Sequence, residues 1–97
     1  MPMSKTIYEV KQTSRFKKDY RLAKKRGYHI QSLRDIILLL ADGKPLPEKN
    51  RDHALVGDWA GYRECHIAGD WLLVYRKEDD ILVLTLTRTG THSDLAF

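Results

Sequence analysis

The sequence predicts an α+β domain in which an antiparallel sheet of about four strands packs against an N-terminal helical hairpin, in the order β-α-α-β-β-β. Three runs rich in β-branched, aromatic and aliphatic residues follow one another after position 61, separated by short polar connectors. Two segments with helical spacing of their apolar residues precede them. Because the chain has 97 residues, we expect residues 1–97 to form one domain.

The N-terminal part contains a strand and a basic helix. The alternation in Thr6–Lys11 is typical of a short strand, and we expect this strand to join the C-terminal sheet because an isolated strand is unstable in water. Ser14 is a candidate N-cap of the first helix, and Gly27 is the residue type that ends helices. Three residues between them share one helical stripe: Phe16, Tyr20 and Ala23.

A second helix is predicted over Ile30–Ala41. Its buried face consists of Leu33, Ile36, Ile37 and Leu40. The following Gly43 and Pro45 end it, since glycine and then proline commonly follow a helix C-terminus. From Lys44 to Ala60 the apolar periodicity disappears, which predicts a long surface connection. Connections of this length are more often functional than short ones.

The C-terminal third predicts a three-stranded meander. Its strands are Tyr62–Ile67, Trp71–Arg76 and Ile81–Thr87. Strict alternation along the last strand places Arg88 on the apolar face, where a cation is costly. Either the strand therefore ends near Thr87, or a bulge turns the arginine to another direction.

Composition excludes several classes of protein. Hydrophobic residues make up 42% of the chain and charged residues 31%, and no apolar run approaches the roughly 20 residues of a membrane-spanning helix. The opening MPMSKTIYEV lacks the apolar segment of a secretory signal, so we expect a cytoplasmic protein. The single cysteine, Cys65, forbids an internal disulfide and is interpreted as a small core residue.

The charge is divided unevenly along the chain. Residues 1–47 carry eleven Lys/Arg against four Asp/Glu, whereas residues 48–97 carry six against nine. Seven of the cations lie between Arg15 and Arg26. This cluster suits phosphate backbones or an acidic protein partner, and a merely solvated helix face is the alternative interpretation. The candidate RNA-binding lysines of this helix are Lys17, Lys18, Lys24 and Lys25.

Polar residues suited to proton transfer and to binding a phosphate are placed near predicted strand ends, namely His66, Asp70, Arg88 and His92. His53 joins them from the preceding connection. Three of them have a structural alternative: His53 on its predicted loop as a solvent-exposed residue without function, His66 as a surface partner in a cross-strand pair, and Asp70 as an ordinary hairpin-turn residue. Trp71 is more often a core residue than a stacking platform. No spacing of paired Cys and His indicates a metal site, no cofactor is expected, and no phosphate-binding loop motif is present.

Histidines with an arginine, and without a metal, suit cleavage of RNA through the neighbouring 2′-hydroxyl. A base removes the hydroxyl proton, an acid protonates the departing 5′-oxygen, and a fixed cation stabilises the charged transition state. The unperturbed pKa of histidine, about 6.5, suits both proton-transfer roles near neutral pH. DNA lacks the 2′-hydroxyl, so this chemistry selects RNA.

The sequence resembles the RelE superfamily of bacterial toxins from type II toxin–antitoxin systems, and most closely its YafQ branch. The resemblance covers nearly the whole chain, including DHALVGDWAGYRECH, GDWLLVYR and RTGTHSDL. It implies a microbial-ribonuclease-like fold and a ribosome-dependent endoribonuclease that cuts messenger RNA in the decoding site. The implied partners are a cognate antitoxin and the 70S ribosome with its message, while operator DNA is contacted only through the antitoxin complex.

The resemblance also assigns roles to individual residues. His92 is the implied general acid, and Asp70 or His66 the implied base. Arg88 is the implied phosphate stabiliser, while His53 and His66 position RNA.

Two further positions are aromatic. The resemblance implies that Trp71 or Phe97 stacks on or supports a base. The ending Leu95-Ala96-Phe97 has one residue more than is usual in this branch, and Ala54 replaces a common proline.

Two other functions are compatible with the chain. One is that of a ParE-like toxin, which binds DNA gyrase and needs no imidazoles; the concentration of histidines disfavours it. The other is a non-catalytic module that only docks its antitoxin, which the intact RTGTH and GDW motifs disfavour.

Overall fold

The computed structural model describes residues 6–95. The elements follow the order β1 (Glu9–Gln12), α1 (Ser14–Lys25), α2 (Ile30–Ala41), β2 (His53–Ala54), β3 (Arg63–Ala68), β4 (Trp71–Glu78), β5 (Val83–Gly90) and α3 (His92–Leu95). Single-turn 3-10 helices at Glu48–Asn50 and Gly57–Trp59 lie on either side of β2. In the described part of the chain no helix is both long and apolar enough to cross a membrane. The predicted role of Phe97 lies outside the described residues.

The five strands form one sheet in the order β1-β5-β4-β3-β2. The predicted meander is confirmed, because β3, β4 and β5 pair antiparallel. β1 joins the sheet as expected, but it pairs parallel to β5. The sheet is therefore mixed instead of purely antiparallel. It also has a fifth strand, since the short β2 pairs with β3. The α+β class is confirmed.

The helix ends differ slightly from the predicted ones. Thr13, and not Ser14, caps α1: its Oγ1 accepts a hydrogen bond of 2.9 Å from the Phe16 amide and donates one of 2.8 Å to the Thr87 carbonyl. This hydroxyl therefore also fixes the helix to β5. Gly27 follows the helix with a φ of +79°, the left-handed conformation that favours glycine after a helix. The bounds of α2 are those predicted.

The helices cover one face of the sheet and form the main core with it. Buried residues of that core include Phe16, Leu33, Cys65, Leu73 and Leu84. Burial is the main cause that raises the pKa of the Cys65 thiol to about 12, which suits an inert core residue and not a nucleophile. A second, smaller cluster of Leu72, Val74 and Leu95 lies apart from the main core. The second face of the sheet is therefore partly covered as well, because Leu55, Trp59 and Tyr62 pack against this cluster.

A bulge in β5 explains how Arg88 is accommodated. Val74 pairs with Arg88 and the next residue, Tyr75, pairs with Leu86, so Thr87 is the extra residue of β5. The strand continues to Gly90, which corrects the predicted end near Thr87 and places Arg88 inside the strand. Because cross-strand partners share a face, the bulge moves Arg88 to the face of Val74 and away from that of Leu86.

Candidate active site

One row of paired residues crosses four strands on the sheet face opposite the main core, and only its outer members reach solvent. The pairs His53–Glu64, Glu64–Val74 and Val74–Arg88 connect β2 to β5. Residues that lie directly opposite each other in a sheet have neighbouring side chains on one face. This row therefore places two predicted functional residues, His53 and Arg88, on the same surface. His66 lies two residues after Glu64 and shares that surface by strand alternation.

The closest contact among the predicted site residues joins His92 and Asp70. Asp70 lies in the turn between β3 and β4, and His92 is the first residue of α3. The Nδ1 atom of His92 is 2.5 Å from Oδ1 of Asp70, and both side chains are at least half exposed. The carboxylate accepts a hydrogen bond from Nδ1–H, so Nε2 is the ring nitrogen that Asp70 does not engage. The ring of His66 lies 6.1 Å from that of His92, between centroids.

His53 has a different set of partners. Its Nδ1 lies 2.7 Å from the carbonyl oxygen of Arg51, and its Nε2 lies 3.3 Å from Oε1 of Glu64, a side chain that is almost fully buried. The first contact makes Nδ1 the donor. The loop placement predicted for His53 is corrected, because this residue begins the edge strand β2.

Arg88 forms an ion pair with Asp19 of α1. The Nε and Nη2 atoms of Arg88 lie 2.7 and 3.4 Å from the two carboxylate oxygens, and Asp19 also accepts a hydrogen bond of 3.1 Å from the Thr89 amide. The side chains are only 13% and 12% exposed. The alignment of Arg88 therefore depends on a carboxylate that, in the sequence, lies inside the lysine-rich helix.

Trp71 lies beneath the site. It is 5% exposed, its Nε1 donates a hydrogen bond of 2.8 Å to Thr89, and its ring packs on Tyr28 at 4.9 Å between centroids. This burial favours a supporting role for Trp71 over base stacking, which needs a free ring face. Both aromatic residues line a mainly apolar recess of about 290 Å³ beside Asp70, which also includes His29. No sequence pattern indicates a role for Tyr28 or His29. Their position beside Trp71 and Asp70 becomes visible only in the folded structure.

Known proteins share this architecture. A family model described as the bacterial toxin of type II toxin–antitoxin systems, YafQ, matches residues 8–97. The chain belongs to the YafQ family of toxins. It is 38% identical over 88 residues to the mRNA interferase toxin YafQ of Escherichia coli K12, covering 90% of this chain and 94% of that protein.

Solved structures agree with this membership. The crystal structure of YafQ from E. coli BL21(DE3) superposes with a TM-score of 0.85 at 36% identity, over 91% of this chain and 97% of that one. YafQ in the E. coli DinJ–YafQ toxin–antitoxin complex gives a TM-score of 0.84 at 37% identity, over 92% and 97% of the two chains. The five-stranded sheet and its helices are therefore those of a YafQ toxin.

In this YafQ family member, α3 is fixed by contacts on both of its sides. Thr91 and Asp94 form a reciprocal capping box, with hydrogen bonds of 2.9 and 3.2 Å between each backbone amide and the other side chain. Arg26, which caps the C-terminal end of α1, donates two hydrogen bonds of 2.7 and 3.2 Å to the carboxylate of Asp94. The position of His92 therefore depends on the end of the first helix.

These contacts predict a pH dependence of stability. Hydrogen bonds from Arg26, followed by the Thr91 amide, hold the pKa of Asp94 well below its usual range. The stabilisation is thus fully present above the unfolded-state pKa of about 4 and is lost as the pH falls through the lower folded-state pKa. We expect Asp94→Asn to lower the urea midpoint at neutral pH and to approach the wild-type midpoint in strong acid. Asp58→Asn, at an exposed position, is the control, and a constant difference at every pH would contradict the assignment.

Two cations beside the site were not among the predicted residues. Lys49 lies in the 3-10 turn before β2 and Arg51 directly follows that turn, and both line a concavity with His66. The lysines predicted to bind RNA on α1, namely Lys17, Lys18, Lys24 and Lys25, are all exposed.

Within residues 6–95 no group of three or more His, Cys, Asp or Glu side chains is arranged to hold a metal ion.

Proposed function

We propose that this YafQ family member is the toxin of a type II toxin–antitoxin pair and cleaves messenger RNA on the ribosome. We also infer that it belongs to the wider RelE superfamily. The hydrogen-bonded pair of His92 and Asp70, with His66 at 6.1 Å between ring centroids, is the observation that supports the cleavage most strongly. The E. coli relative named an mRNA interferase and the YafQ solved with DinJ support the substrate and the antitoxin partner.

The proposed reaction transfers two protons and needs no redox step. The 2′-oxygen attacks the neighbouring phosphorus while the bond from phosphorus to the 5′-oxygen breaks, leaving a 2′,3′-cyclic phosphate. His66 accepts the 2′-hydroxyl proton, and His92 donates a proton from Nε2 to the departing 5′-oxygen. Asp70 is the other candidate base, but its carboxylate is already bound to His92 Nδ1 and orients that ring. His66 is therefore the favoured base.

The remaining residues bind and orient the RNA. Arg88 stabilises the charge on the phosphate, and its ion pair with Asp19 fixes the guanidinium. His53 positions RNA together with His66, and Trp71 supports the base-binding recess from below. The assignment of Phe97 as a second aromatic support stays a prediction.

The test is to map RNA ends after incubation of the purified protein with a message, once free and once on programmed ribosomes. Cuts in codon register, found only on ribosomes and ending in a cyclic phosphate, are the expected result. If neither setting yields cuts although the protein still stops growth, the gyrase-binding function replaces this one. If growth is not inhibited either, the non-catalytic antitoxin-binding module replaces it.

Gly90 lies so close to α3 that a larger residue does not fit there. A Cβ atom at this position would lie 2.9 Å from Cβ of Asp94 and 3.0 Å from its Oδ2 atom, so an alanine must displace α3. Displacement of a catalytic group by about 1 Å can cost roughly 100-fold in rate. We expect Gly90→Ala to slow cleavage on programmed ribosomes by about 10- to 100-fold. Ser93→Ala, beside His92 on the exposed side of α3, is the control that should keep wild-type rate.

The basic helix α1 is proposed to contact ribosomal RNA. Replacing Lys17, Lys18, Lys24 and Lys25 by glutamine removes the charge and keeps a polar side chain suited to a helix. We expect weaker ribosome binding with a smaller dependence on salt, since the variant neutralises fewer phosphates and releases fewer counterions. Unchanged affinity across the salt range, for both ribosome and antitoxin, would show that this face is only solvated.

A further inference from the structure

The polar concavity that contains Lys49 and Arg51 is separate from the apolar recess beside Trp71 and adjoins the proposed catalytic histidines. It has a volume of about 490 Å³ and lies between the 3-10 turn before β2 and the turn that joins β3 to β4. His66 forms one wall, so this concavity and the catalytic site share a side chain. Its lining consists of Lys49, Asn50, Arg51, His66, Ile67, Ala68 and Gly69.

The charge of this concavity is positive. Lys49 and Arg51 are both exposed, and in the part of the chain that the structure describes neither side chain forms an ion pair. No carboxylate is among the lining residues. Two cations without a carboxylate partner beside an imidazole suit an anion. Because the concavity adjoins the proposed cleavage site, a phosphodiester of the RNA is the anion that fits it.

The backbone that carries these cations is anchored by hydrogen bonds to neighbouring strands. Asn50 is 6% exposed and its amide donates a hydrogen bond of 2.7 Å to the His66 carbonyl. The carbonyl of Arg51 contacts His53 at 2.7 Å, and Arg51 itself has a φ of +48°. A non-glycine residue in this conformation is uncommon and persists where surrounding contacts impose it. Holding the segment in advance lowers the ordering cost of binding a ligand.

The other side of this segment is anchored as well. Asp52 accepts a hydrogen bond of 2.5 Å from the Tyr75 hydroxyl and lies 3.2 Å from Nε of Arg63. Tyr75 is fully buried in the main core. The turn is therefore connected to β3 and β4 through side chains on both sides of Arg51, while the two cationic side chains remain exposed.

We propose that Lys49 and Arg51 form a phosphate-binding subsite for the message nucleotide next to the cleaved bond. This inference rests on the proposed function, because it takes the RNA that the histidines cut as its ligand. His66 would contact the reacting nucleotide on one side and border the bound phosphate on the other. The subsite thereby sets the position of the strand relative to the acid and the base.

Binding of an uncleavable single-stranded RNA tests the subsite. The probe carries 2′-methoxy groups, so its phosphates are kept while the attacking hydroxyl is absent. We expect Lys49→Gln/Arg51→Gln to bind it more weakly and to lower the log–log salt slope by about 0.7 for each phosphate that the variant no longer neutralises. Lys11→Gln/Lys44→Gln removes the same charge away from the concavity and should leave binding by the subsite unchanged.

Neutral linkages in the probe locate the contact. A methylphosphonate placed at successive linkages should weaken wild-type binding at one linkage beside the cut and leave the Lys49→Gln/Arg51→Gln variant unaffected there. The subsite would be overturned if each methylphosphonate reduced the RNA affinity of wild type and variant equally. It would also be overturned if the two proteins bound the unmodified probe equally, or if the wild type did not measurably bind it. Ribosomal cleavage by wild type with any of these outcomes would retain the proposed function, whereas absence of cleavage would reject that function itself.

Discussion

His92→Gln should reduce messenger RNA cleavage on programmed ribosomes by about 10²- to 10⁴-fold, the usual contribution of one proton-transfer group. Glutamine is similar in size to histidine and keeps hydrogen-bonding capacity toward Asp70, but it cannot donate a proton to the departing 5′-oxygen. The side chain of His92 is 50% exposed, so the fold should tolerate the change. Single-turnover cleavage rates, with the urea midpoint measured in parallel, would separate impaired chemistry from impaired folding.

Asp80→Asn is the control for this variant. Asp80 is exposed in the turn between β4 and β5, at the opposite end of β4 from Asp70. Its substitution should leave the single-turnover rate near that of wild type. A His92→Gln protein with full activity would remove His92 from the role of general acid.

The second large effect is expected from Asp19→Asn. Removing one partner of a nearly buried ion pair leaves the other charge uncompensated, and such changes cost about 3 kcal/mol or more of folding free energy. Asparagine can still accept the hydrogen bond from the Thr89 amide, so the change mainly tests the charge opposite Arg88. We expect a lower urea midpoint and also slower cleavage, because the carboxylate that aligns Arg88 is then absent.

A double-mutant cycle shows whether Asp19→Asn lowers stability through the lost ion pair with Arg88 or only through a change within α1. Asp19→Asn/Arg88→Gln should be more stable than the sum of the single changes predicts, since no buried charge then remains unpaired. Asp35→Asn removes a carboxylate from the exposed side of α2 and should change stability little. Additive destabilisation in the cycle would show that Asp19 and Arg88 do not stabilise each other.

The fold follows from the sequence where an element is long enough to show its period. α2 contains three turns of apolar spacing and occupies the residues predicted for it, and the strands after position 61 pair as the expected meander. β2 has two residues, too few for any period, and it exists because β3 offers it an edge. The direction of β1 depends on how the helical hairpin crosses the sheet, which alternation along one strand does not encode.

The sequence predicts which residue types form the candidate site, but it does not predict most of the contacts between them. Arg88 was recognisable because it breaks the alternation of β5, but only the register across β4 distinguishes a bulge from a strand end. Asp19 lies among lysines and therefore resembles a solvated helix residue until α1 is packed against β5. Lys49 and Arg51 belong to a charged connection without periodicity, so their position beside His66 emerges only in three dimensions.

The anchoring of α3 has a consequence for the order in which activity arises during protein synthesis. Arg26 and Asp94 are 68 positions apart. At about 5–20 residues per second, several seconds separate the emergence of the two. A chain whose translation stops before residue 92 already carries the basic segment of α1 but has no His92. Such a fragment would retain the positive charge that attracts RNA and would lack the proposed acid.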